Sequence, residues 1–180
     1  MQVVNALKED KYYIGLSQGT SVVAKKIMDI TKGQYSHALS VIKGTVYQAH
    51  FGIGVHSLPL SEYEAGEAKK QSKITFFEVK TLNEYLAKYL VEIKLPYDNA
   101  DIREHYEKNR LGHFSWIRDF NHSSSEKMIC TEFVDWITNK QISYALNYTY
   151  SGEVNPHEMY ATCQALMGDG YILNKIDLGC

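Results

Sequence analysis

Hydrophobic positions along the chain alternate in some stretches and recur at helical spacing in others. The run YYIGLSQ, Tyr12 to Gln18, reads as a first strand, and Val23, Ile27 and Ile30 then share one face of a helix predicted over Thr20–Thr31 and stopped by Gly33. YSHALSVIKGTVYQAHF predicts a hairpin that turns at Lys43-Gly44 and sets Ile42 opposite Thr45. Apolar GVHSLPL and strand-like KITFFEV follow. Leu82, Tyr85, Leu86, Tyr89, Leu90 and Ile93 then form one helical stripe, ended by Pro96. DNADIREHYEKNR predicts a polar helix capped by Asp98 or Asn99, and MICTEFVDWI a second helix. NPHEMYATCQALMGDG predicts a third, with Asn155 as cap, Pro156 in the first turn and Gly168 near the end. YILNKI is expected to add a closing strand. Both element types occur without a regular βαβ alternation, so the expected class is α+β. With no repeat and no linker in sight, residues 1–180 are read as a single domain.

Composition adds limits. A hydrophobic content of 44% against 22% charged residues is globular and excludes disorder. A net charge of −2 provides no basic stripe for nucleic acid, and Lys25-Lys26 and Lys69-Lys70 read as solvated faces. MQVVNALKEDKYY lacks the basic start and apolar run of a secretion signal, and no apolar stretch approaches the roughly 18 residues that span a bilayer. Cys130, Cys163 and Cys180 have no paired spacing, so a disulfide framework is not expected. The expected setting is reducing, either cytoplasmic or phage- or virion-associated.

Cys130 carries the first chemical signal. Ser123 and Glu126 have capping-box spacing, and Ser125 is an alternative cap, so Cys130 falls in the first turns of a helix. Free N–H groups and the positive end of the helix dipole favour thiolate there and can also hold an oxyanion. Ile129, Phe133, Trp136 and Ile137 form the packing stripe, with Cys130 at its border, facing a groove. Cys163, grouped with Met159, Leu166 and Met167, reads as a buried hydrophobe.

A thiolate nucleophile needs a histidine partner. Of the seven histidines, 37, 50, 56, 105, 113, 122 and 157, none makes a metal-ligand spacing, and no metal is expected. His37 lies on a strand face with Tyr35, Leu39 and Val41. In the hairpin register Leu39 faces Gln48 and His37 faces His50, which makes Gln48 the diagonal neighbour of His37, about 7–8 Å away between backbones. Gln48 can orient the imidazole through its amide oxygen, and His50 is the rival for that place.

Taken together, YSHALSVI, VYQAHFGIGVHSLPLSEY, LPYDNA and MICTEFVDWI…VNPHEMY resemble the circularly permuted NlpC-type papain-like hydrolases, the YiiX-like group related to lecithin retinol acyltransferase. The matches run from about Gly15 to Tyr160. The resemblance implies a papain-like core, an antiparallel sheet packed against the cysteine-bearing helix. It makes Cys130 the nucleophile, His37 the general base and acid, and Gln48 the third polar residue, where that family usually has glutamate.

The function expected is therefore a cysteine-dependent amidase, peptidase, acyl esterase or acyl transferase working through a thioester at Cys130, on a small peptide, amide or acyl-ester substrate and with no cofactor. The Cys130 N–H is one expected oxyanion donor, with Ser17 and Gln18 as candidates for the second. The alternatives are a papain-like module that binds a peptidoglycan peptide or lipid without turnover, and a structural assembly component.

Overall fold

The computed structural model describes residues 2–98, 128–148 and 154–179. Six strands form one antiparallel sheet: β1 (Tyr12–Gly19), β2 (His37–Ile42), β3 (Thr45–His50), β4 (Gly54–Pro59), β5 (Gln71–Val79) and β6 (Ile172–Gly179), in the order β4-β3-β2-β1-β5-β6. The helices are α1 (Val3–Ala6), α2 (Val22–Thr31), α3 (Leu60–Ala65), α4 (Glu84–Glu92), α5 (Cys130–Ile137), α6 (Gln141–Ala145) and α7 (Pro156–Ala165). The α+β class expected from the sequence is the class observed. Among the described residues no helix is long and apolar enough to cross a membrane.

Period-two alternation divides the sheet into two buried faces. Ile14, Leu16, Ala38, Ala49 and Phe77 meet Cys130, Phe133, Val134 and Ile137 of α5. Tyr13, Leu39, Val41, Val46 and Phe76 pack against Val3, Leu60 and Tyr63 of α1 and α3. The hairpin turns where its sequence says it should: Lys43 and Gly44 both take positive φ (49° and 75°), and Ile42 faces Thr45. Helix α5 is buried around almost its whole circumference, with only Trp136 half-buried. Truncating a side chain such as Phe133 there costs about 3–5 kcal/mol.

Three local expectations need correction. On α2 the buried side chain is Ala24, while Val23 is exposed and Ile27 and Ile30 are half-buried, because the latter two border hollows rather than core. Helix α4 starts late, capped by the Asn83 side chain on the Leu86 N–H. Only the leucine side of its stripe is covered: Leu82, Ala87 and Leu90 are buried, whereas Tyr85, Tyr89 and Ile93 face outward. Helix α5 begins at Cys130 itself, with Ile129 as N-cap and no side-chain cap. Ser123, Ser125, Glu126, the segment from Asn99 on that includes His105, His113 and His122, and Cys180 lie outside the described residues.

Gly33 does more than stop α2. Lys32 takes the left-handed conformation (φ 52°), and the Gly33 N–H closes onto the Met28 carbonyl at 3.1 Å. A Cβ at Gly33 would lie 2.2 Å from Cβ of His157, so glycine is what lets the end of α2 meet the start of α7. Helix α7 has the predicted cap: the Asn155 side chain accepts from the His157 and Glu158 N–H groups, and Glu158 returns to the Asn155 N–H.

Candidate active site

Two backbone hydrogen bonds set the position of Cys130. Asp98 N–H donates to the Met128 carbonyl (3.2 Å), and Met128 N–H donates to the Pro96 carbonyl (3.1 Å). This short parallel bridge between Tyr97 and Met128 fixes Tyr97 beside the start of α5. Segment 95–97 is itself held to the sheet, because Val55 N–H donates to the Leu95 carbonyl at 2.8 Å. Gly54 makes that approach possible: it has φ +92°, and a Cβ there would sit 2.6 Å from the Leu95 oxygen.

At the first position of α5 the Cys130 sulfur is within reach of the Ala38 N–H, the Tyr97 hydroxyl and the N–H groups of Thr131 and of Cys130 itself. All four donors favour thiolate, as the helix-start argument expects. Burial outweighs them: Cys130 is 5% exposed, and its thiol is pushed above the ordinary value. At rest the group is a neutral thiol, which corrects the expectation of a thiolate. Cys163 is also buried and raised, by desolvation alone.

The sulfur opens on a hollow of about 340 Å³, walled mainly by Ile27, Ile30, Ile129, Val154 and Pro156. Thr131 lines the same hollow, and its buried hydroxyl has no partner among the described residues. An unsatisfied buried hydroxyl carries a cost that a bound ligand with a polar atom would relieve.

His37 and Gln48 meet as the hairpin register expects: Nε2 of His37 lies 2.8 Å from Oε1 of Gln48. The His50 ring is 5.7 Å from the His37 ring between centroids, but its Nδ1 is engaged by the Phe51 carbonyl. Gln48 is therefore the orienting partner seen, and His50 a neighbour. Burial holds the His37 imidazole below its usual pKa, although Gln48 and Glu67 pull the other way. It is neutral at neutral pH and available as a base.

Behind the amide stand two residues to which sequence reasoning assigned no role. The Gln48 amide nitrogen is 2.5 Å from Oε2 of Glu67 and 3.1 Å from Nε2 of His56. The carboxyl of Glu67 is held at about 2, chiefly by His56, and His56 is correspondingly raised by Glu67. His56 had a legible signal, since β4 sets it directly opposite Gln48. Glu67 had none, because it lies between α3 and a single 3₁₀ turn (Ala68–Lys70), a place no periodicity marks. Tyr97 could be read only as part of LPYDNA, and Thr131 only as the residue after the cysteine.

The two halves meet neighbouring residues of β2, Ala38 and His37, but on different sides of the strand. The sulfur approaches the Ala38 N–H from the α5 side, whereas His37 heads the run, Leu39 and Val41, that faces α3. His37 is the first residue of β2, so the route from sulfur to imidazole passes round the strand end. A second hollow of about 390 Å³ holds His37, Gln48, His50 and Glu67, and it shares Ile27, Ser36 and Tyr97 with the cysteine hollow. Neither Ser17 nor Gln18 lines the hollow at the sulfur. Ser17 pairs with His37 across β1 and β2, its buried hydroxyl without a partner among the described residues, while Oε1 of Gln18 accepts from Ser72 on β5. Among the described residues no group of His, Cys, Asp and Glu side chains could hold a metal ion. Searched against protein-family models and against curated proteins, the chain matches none.

Proposed function

We propose that this chain is a cysteine-dependent hydrolase or acyl transferase with a permuted papain-like core, working in a reducing compartment or delivered with a virion. One observation carries the reading. A cysteine at the first position of a buried helix opens on a hollow beside Ala38, and the adjacent His37 has one ring nitrogen committed to an orienting amide.

With Nε2 of His37 on Gln48, Nδ1 is the nitrogen left to take a proton, and the Cys130 proton would reach it round the end of β2, where the two hollows share Ile27, Ser36 and Tyr97. The pair is neutral at rest, so proton removal accompanies attack rather than preceding it. The sulfur adds to the substrate carbonyl, forming the C–S bond, and the oxyanion is held by the Cys130 N–H and the Tyr97 hydroxyl. Collapse breaks the C–N or C–O bond as His37 returns the proton to the leaving group. His37 then takes a proton from the water or alcohol that cleaves the thioester. The apolar walls at the sulfur favour an acyl group with an uncharged, apolar substituent, and Thr131 offers it one polar contact.

Near-complete burial of the thiol favours a second reading, a ligand-binding module without turnover. Acyl esters of increasing chain length, γ-glutamyl peptides and peptidoglycan fragments, offered to wild type and Cys130→Ser, separate the two. Turnover lost in Cys130→Ser and His37→Ala supports the enzyme. Ligand binding by wild type and Cys130→Ser alike, with no turnover of any substrate, overturns it.

A further inference from the structure

An amide has a donor end and an acceptor end, and what binds one end decides what the other offers. Gln48 lies between His37 and Glu67 in a half-buried pocket where neither end reaches bulk water freely. A carboxylate only accepts hydrogen bonds, so the end of Gln48 that meets Glu67 at 2.5 Å is its NH₂ group. The second hydrogen of that group points to Nε2 of His56 at 3.1 Å, and Nδ1 of His56 engages the Gly54 carbonyl at 3.1 Å. His56 is thereby the acceptor from Gln48 and donates from Nδ1. With both amide hydrogens taken, the amide oxygen must face His37, so Nε2 of His37 carries the proton and Nδ1 the lone pair.

We propose that Glu67 is a positioning residue that sets the tautomer of His37 through Gln48. The carboxylate that the family resemblance expects at position 48 is supplied one side chain further away. This restores the function of an acidic third member, because it fixes which imidazole nitrogen is basic. The titratable groups that face the relay are His37, His50, His56, Glu67, Tyr63 and Lys70, and no lysine or arginine makes a hydrogen bond within it among the described residues. The catalytic meaning of the relay rests on the proposed hydrolase, but the tautomer itself does not.

The test is ring-nitrogen NMR of ¹⁵N-histidine-labelled protein above the pH where His56 protonates, with urea unfolding to show that each variant is folded. Wild type is expected to hold His37 almost wholly as the Nε2–H form. Glu67→Gln offers Gln48 either end of an amide and leaves only the longer contact to Nε2 of His56, at 3.1 Å, to hold its NH₂ end, so the Nε2–H population should fall below the wild-type value. The exchange Gln48→Glu with Glu67→Gln puts an acceptor-only group directly on His37 and should restore the Nε2–H form even if Glu67→Gln alone folds poorly. A wild-type ring protonated at Nδ1, or a folded Glu67→Gln with the wild-type tautomer, overturns the proposal. The iodoacetamide rate at Cys130 reports separately on the hydrolase: an inert sulfur with the tautomers as expected would sink the enzyme and leave the relay standing.

Discussion

Glu67 and His56 form an ion pair whose contribution to stability should pass through a maximum with pH. The carboxyl is lowered from 4.5 to about 2. At about 1.4 kcal/mol per tenfold this corresponds to about 3.5 kcal/mol of folded-state stabilisation. The nearest pair of charged atoms is 3.8 Å apart, an ion-pair distance rather than a direct hydrogen bond, so about 3.5 kcal/mol is an upper bound. The two partners have opposite signs of linkage. A lowered carboxyl contributes above 4.5 and loses its contribution as pH falls through about 2. A raised histidine contributes below 6.5 and loses its contribution as pH rises through its higher folded value. Both are present together only between 4.5 and the raised value of His56. Wild type and Glu67→Gln, unfolded in urea at about pH 3, about pH 5.5 and about pH 8, should therefore differ most at the middle value. A difference that stays constant across the three, or grows at the alkaline end, would refute the assignment of His56 as the partner of Glu67.

Iodoacetamide should label Cys130 slowly at neutral pH and faster as pH rises through a value above the ordinary thiol range, while Cys163 stays unlabelled until the protein unfolds; mass spectrometry after timed quenching checks both. Gly33→Ala should destabilise the fold by about 1–3 kcal/mol, read by urea unfolding, because its methyl cannot share space with Cβ of His157. Asp135→Ala should cost about 1–3 kcal/mol by the same measurement. Its buried carboxylate accepts from the Ile142 and Ser143 N–H groups at 3.1 and 3.0 Å, and both would lose their partner.

What was legible in the sequence is what alternation and capping encode. The hairpin, its Lys43-Gly44 turn and the His37–Gln48 pairing follow from counting along two strands, since a one-residue slip would turn every apolar side chain the wrong way. The Asn155-Pro156 start of α7 follows from side-chain chemistry confined to four residues. The faces of α2 and α4 were misjudged because a helix with apolar groups over a wide arc has more than one plausible buried side, and tertiary contacts choose among them. The rest of the candidate site depends on contacts between distant segments: Glu67 with Gln48, Tyr97 with Cys130, Gly33 with His157. The thiol's ionisation was misread for a related reason. Helix position is local and visible, whereas the depth at which a sulfur is buried is a property of the whole fold.

Gly54 ties the rim of the sheet to a phenol it never touches. Because its missing side chain lets β4 lie flat on the Leu95–Pro96 backbone, the Tyr97 hydroxyl takes its bearing from the sheet edge rather than from the helix that precedes it. Any bulk at that glycine would wedge the two backbones apart and swing the phenol off the sulfur, and through the Pro96–Met128 hydrogen bond it would also disturb the start of α5 at Cys130. Damage to the chemistry would then start at a residue that takes no part in it.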